Sequence, residues 1–84
     1  MTTNNTYTPY SQMLSKLQHM EEFKGSNVRA YYNGVSYIVK SYDTTILLVN
    51  TVTWAHVYDA RKYSPTTSRL QNLIKQAFPY LQDL

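Results

Sequence analysis

Two histidines, five carboxylates and no cysteine are all that this 84-residue chain offers for acid–base, metal or thiol chemistry. His19 falls on a predicted helix and His56 on a predicted strand. Neither has a second histidine or a carboxylate at the spacing that metal coordination needs. With only Gly25 and Gly34, the chain has no glycine-rich phosphate loop, and it has no serine in a nucleophile elbow. His19 reads instead as a helix surface residue near Glu22, and His56 as a sheet residue among aromatic neighbours. The residue types therefore argue against an enzyme and call for no cofactor and no metal.

The one polar cluster with chemical content is Arg61, Lys62, Ser64, Thr66, Thr67, Ser68 and Arg69. The start of a helix presents unpaired N–H groups and a partial positive charge. Ser64, Thr66, Thr67 and Arg69 placed there could seat a phosphate or a carboxylate. The same residues also serve ordinary capping, with Ser64 as the cap and the threonines bonding locally. Charge placement points the same way. The net charge is +3, and residues 1–59 are balanced, so the excess lies in residues 60–84, where Arg61, Lys62, Arg69 and Lys75 face only Asp83.

Nine tyrosines are the other unusual feature. Tyrosine supplies large, stiff, amphipathic contact area, which suits a binding surface. Tyr31, Tyr42, Tyr58 and Tyr63 are expected at or near the surface, whereas Tyr32 and Tyr37 read as core. The expected partner-binding set is Tyr31, Tyr42, Tyr58, Arg61, Lys62, Tyr63 and Arg69.

The elements that position these residues are legible from periodicity. Residues 1–7 are expected to be a mobile tail of a single domain spanning 1–84. Thr8 and Pro9 open a helix with an apolar stripe of Tyr10, Met13, Leu14, Leu17 and Met20, which is expected to end near Phe23 or Lys24 with Gly25 closing it. Val28–Tyr32 and Val35–Lys40 flank Asn33-Gly34, a hairpin signal that sets Tyr32 opposite Val35, Ala30 opposite Tyr37 and Val28 opposite Val39. This pairing puts Arg29, Tyr31, Ser36, Ile38 and Lys40 on the wetter face.

Thr44–Asn50 contains the unbroken run Ile46–Val49. Either a partner or second copy covers its far side, or it is an interior strand with one exposed leucine. Val52–Tyr58 is the expected fourth strand. Ser64, Pro65 and the stripe Leu70, Leu73, Ile74, Ala77, Phe78 and Leu81 define a second helix that weakens at Pro79. The expected fold is α+β: a four-stranded antiparallel meander with an N-terminal and a C-terminal helix on one face, in the order αββββα. A core this small makes a homodimer one expected way of gaining burial. No apolar run approaches the ~20 residues of a membrane helix, and the first residues do not read as a signal peptide, so a cytoplasmic protein is expected.

In the C-terminal half, SYDTTILLV followed by YSPTTSRLQNLIKQAF resembles small uncharacterised proteins of tailed phages of Gram-positive bacteria. Their final helix opens with a Tyr-Ser-x-Thr-Thr-Ser-Arg-like motif. The matching positions here are Tyr63, Ser64, Thr66, Thr67, Ser68 and Arg69, with Gln71 and Asn72 after them. The resemblance implies an accessory protein made in the cytoplasm of an infected host bacterium. It would bind and block an anti-phage defence complex, with a CRISPR nuclease as the foremost target. The alternative expectation is a small basic protein that binds nucleic acid through Arg61, Lys62, Arg69 and Lys75 at the second helix.

Overall fold

A computed structural model describes residues 7–79. The elements are α1 (Tyr10–Gln18), β1 (Phe23–Gly25), β2 (Val28–Asn33), β3 (Ser36–Ser41), β4 (Thr44–Asn50), β5 (His56–Tyr58) and α2 (Pro65–Ala77). The fold is α+β, as the sequence indicates, but the sheet has five strands. They form an antiparallel meander in the order β1-β2-β3-β4-β5. The two helices pack against each other, and both contribute to one core with the inward residues of the sheet.

α1 is shorter than its periodicity suggests. Pro9 is its N-cap, and the Pro9 carbonyl accepts from the N–H groups of Gln12 (2.9 Å) and Met13 (3.2 Å). The helix ends at Gln18. Met20 takes a left-handed conformation (φ 52°), its N–H donates to the Leu17 carbonyl and the Glu21 N–H to that of Lys16, a closed pair of terminal bonds. Gly25 therefore does not close this helix. It lies in β1, where the Met13 side chain packs so closely that a Cβ would collide with it. The Thr8 N–H donates to the Lys24 carbonyl (2.8 Å), tying the segment before α1 to β1.

The β2–β3 hairpin turns on Gly34 (φ 64°) and Val35, not on Asn33 and Gly34. Ala30 consequently faces Val39, Tyr32 faces Tyr37 and Arg29 faces Lys40. The partner shift is even, so the face assignment of Val28, Ala30, Tyr37 and Val39 is unchanged. Tyr37 is fully buried. Its hydroxyl donates to the Glu21 carbonyl at 2.7 Å, and burial pushes the phenol pKa well above its ordinary value. Tyr32 and Val35 are exposed, contrary to their expected core placement. The Tyr32 ring leans on Tyr37 with centroids 5.1 Å apart, and its hydroxyl donates to the Met20 carbonyl.

A bulge in β4 resolves the Ile46–Val49 run. Val39 pairs with Leu47 but Lys40 pairs with Thr45, so Ile46 is an extra residue. Ile46, Leu47 and Val49 all reach the core, and Leu48 alone is left half-buried on the other side. The chain itself thus buries all of the run but Leu48, which stays on the side that a partner or a second copy would cover.

The fourth predicted strand is also corrected. Residues 51–55 form a loop, and only His56–Tyr58 pairs with β4. The Asn50 side-chain oxygen accepts from the N–H groups of Val52 (2.9 Å) and Thr53 (3.1 Å), which turns the chain before β-branched residues can extend it. α2 starts and stops as read from the sequence, with Ser64 as N-cap, Pro65 in the first turn and Phe78 as C-cap. Leu81 of the predicted stripe and residues 1–6 of the predicted tail lie outside the described residues.

Candidate binding face

The helices cover one side of the sheet, and register alone determines what the other side displays. Because side chains alternate along each strand, residues paired across strands share a face. One row across the uncovered side is Tyr31, Ile38, Leu48 and Val57, on β2 to β5. The adjacent row is Lys24, Arg29, Lys40 and Thr45, on β1 to β4. The face thus has an apolar half and a cationic half.

The apolar row becomes more exposed toward β5, from a buried Ile38 to a Val57 that is 69% exposed. Beside it the 51–55 loop holds out Val52 and Trp54, the latter 55% exposed. Trp54 sits at φ 62°, unusual for so bulky a residue, and its N–H donates to the Asn50 carbonyl at 2.7 Å. Thr51 donates from its N–H and its hydroxyl to the Val35 carbonyl, joining this loop to the β2–β3 turn. Trp54 was expected on a regular strand. Its outward placement depends on the Asn50 turn, and the only local sign of that turn is Asn50 itself.

In the cationic row, Lys24 pairs with Arg29 and Arg29 with Lys40. Among the described residues no carboxylate forms an ion pair with any of the three; the ion pairs are Lys16–Glu21 and Arg61–Asp59. Glu22, the nearest acid on this edge, accepts from the Tyr32 N–H at 2.8 Å. The Arg29 guanidinium lies over the Tyr31 ring (5.2 Å) and the Lys24 ammonium over the Tyr7 ring (5.8 Å). A depression of about 480 Å³ opens between Glu22, Lys24, Arg29 and Tyr31. A smaller one of about 150 Å³ lies between Tyr7, Lys24, Arg29 and Tyr42.

The cluster singled out by charge is built differently. Asp59 accepts from the Arg61 N–H (3.0 Å), Nε (3.2 Å) and Nη2 (3.1 Å), and from the Tyr63 hydroxyl. The Arg61 hydrogen bonds, followed by that of Tyr63, hold the Asp59 carboxyl well below the usual carboxylate range. Donation to Asp59 in turn raises the Tyr63 phenol pKa. The buried amide of Gln71, a residue with no role expected from sequence, donates to the carbonyls of Asp59 (2.8 Å) and Arg61 (2.9 Å).

At the start of α2, Ser64 Oγ accepts from the Thr67 N–H at 3.4 Å. Thr67 is buried, with its hydroxyl 2.7 Å from that of Ser41. The Thr66 carbonyl accepts from the Tyr10 hydroxyl, and Arg69 lies over the Tyr10 ring (5.8 Å).

The predicted residues are therefore divided between regions. Tyr31 is on the uncovered face, and Tyr42 is exposed in the β3–β4 turn at φ 55°. Arg61, Lys62 and Tyr63 are exposed in the crossover between β5 and α2. Ser64, Thr66, Thr67 and Arg69 belong to the helical layer. Tyr58 pairs with Leu47 on the core side and packs there half-buried, so it is not displayed as expected; burial raises its phenol pKa. Among the described residues no group of three or more His, Cys, Asp and Glu could hold a metal, and no helix is long and apolar enough to cross a membrane. Comparison with protein-family models, with curated proteins and with solved structures found no match to this chain.

Proposed function

We propose that the chain is a non-enzymatic binding protein that acts by covering a surface of a larger assembly. The resemblance of its C-terminal half to phage accessory proteins makes that assembly a host anti-phage defence complex, a CRISPR nuclease foremost, met in the cytoplasm of the infected bacterium. One observation supports the reading best: the side of the sheet away from the helices carries an apolar row that ends at the protruding Val57, and the exposed Trp54 stands in the loop that leads into the same strand. An aromatic anchor set among aliphatic neighbours is the usual centre of a protein–protein contact.

The test is cleavage by a purified, guide-loaded host nuclease with the protein in excess, together with size-exclusion chromatography and light scattering. We expect stoichiometric co-elution and loss of cleavage, both reversed by Trp54→Ala. Cleavage that continues unchanged, with separate elution from each of the host's defence nucleases, would remove the proposal. Light scattering on the protein alone also reports whether a second copy covers the same face.

A further inference from the structure

We infer that Lys24, Arg29 and Lys40, with Tyr31 beside them, form a seat for single-stranded nucleic acid. The inference rests on the reading that the uncovered sheet face is the working surface, and it names the ligand of that face's cationic half.

Neighbouring strands lie roughly 4.8 Å apart, so three side chains on consecutive strands bring three positive charges within about 10 Å across the sheet. Like charges placed directly opposite one another destabilise a sheet. Here two such pairs follow in succession, Lys24 with Arg29 and Arg29 with Lys40, and no carboxylate among the described residues forms an ion pair with any of the three; Glu22, which lines the same depression, accepts from the Tyr32 N–H instead. A polyanion converts that repulsion into attraction. Phosphate is the polyanion favoured over an acidic protein segment because aromatic rings are interleaved with the cations. The Arg29 guanidinium lies over the Tyr31 ring and both line the larger depression, while Tyr7 and Tyr42 line the smaller one together with Lys24 and Arg29.

Bases stack on the faces of tyrosine rings and guanidinium planes, whereas aspartates accept hydrogen bonds only at their edges and gain nothing from the faces. Among the described residues no helix or ribbon rises from this open sheet face to enter a groove, which favours a single strand over a duplex.

The experiment is fluorescence anisotropy with a labelled single-stranded oligothymidylate of about 12 nucleotides. Three phosphate contacts on a single strand give a slope of about −2 in log affinity against log salt. Affinity should therefore fall about 20-fold between about 50 and about 200 mM salt. Lys40→Gln should flatten that slope by about 0.7, and the triple variant Lys24→Gln, Arg29→Gln, Lys40→Gln should abolish binding. The triple variant keeps or raises its melting temperature because repulsion has been removed, so lost binding is not lost folding. Tyr31→Leu should weaken binding about tenfold with the slope unchanged.

Undiminished binding by the triple variant overturns the inference. So does an equal loss in a Lys62→Gln, Lys75→Gln control, or equal binding of the matching duplex. Competition by polyglutamate as effective as that by the oligonucleotide would reassign the site to an acidic protein. Trp54→Ala should retain oligonucleotide binding while losing nuclease inhibition, so either reading can fail without the other.

Discussion

Two groups of cations in this protein have similar residues and opposite circumstances. Arg61, Lys62 and Arg69 stand close together in the chain, yet an acid two residues before Arg61, Asp59, holds its guanidinium. Lys24, Arg29 and Lys40 are scattered through stretches that are electrically neutral as sequence, and strand pairing lines them up with no acid between them. Density of charge along a chain is thus a poor guide to density of charge in space. Local clusters can discharge themselves through short loops, whereas cross-strand neighbours are fixed by register and have no such freedom.

The contrast can be broken first at Gln71. Gln71→Leu removes the donor to two carbonyls and should cost about 1–3 kcal/mol, read as a lower midpoint in urea unfolding, because two part-buried hydrogen bonds of about 0.5–1.5 kcal/mol each are lost. It loosens the crossover and should leave oligonucleotide binding unchanged, since the sheet row does not depend on it.

A smaller effect of opposite sign is expected from Lys40→Glu. An acid placed opposite Arg29 turns repulsion into attraction, for a gain of about 0.2–1 kcal/mol in the same assay, while oligonucleotide affinity falls. Lower stability on this substitution would show that the row is not electrostatically strained.

The smallest effect is the acid limb of the Asp59 cluster. Its carboxyl titrates lower in the folded chain than in the unfolded one. Its contribution to stability is therefore complete above about pH 5 and is lost as pH falls through about 4 toward the folded value. Thermal melts of the parent and of Asp59→Asn should converge in that range. Above it, Asp59→Asn should melt lower and bind oligonucleotide more tightly, because freeing Arg61 makes the second cluster resemble the first.

Much of the fold could be read from the chain. Ser64, Pro65 and the Leu70–Ile74–Phe78 stripe locate α2 closely, and alternation assigns the faces of β2 and β3 even with the turn misplaced. The parts that could not be read share a cause. β1 is three residues long and contains no β-branched side chain. α1 is followed by a methionine, Met20, in a conformation that glycine usually supplies, and the loop after β4 is turned by one asparagine side chain against strongly strand-forming neighbours.

The cationic row depended on two of the unread features. Without β1, Lys24 has no partner. With Asn33-Gly34 as the turn, Arg29 would face Ile38, and Lys40 would lie beyond it.

The bulge in β4 bears on how this protein tolerates changes in length. Thr45 and Leu47 already oppose consecutive residues of β3, Lys40 and Val39, so excising Ile46 would join two stretches that are in phase with one another. The ladder would heal into ordinary alternation with every downstream side chain on its present side. The molecule should experience that deletion as a hole where one aliphatic group had been, whereas excising Leu48 would invert the remainder of the strand.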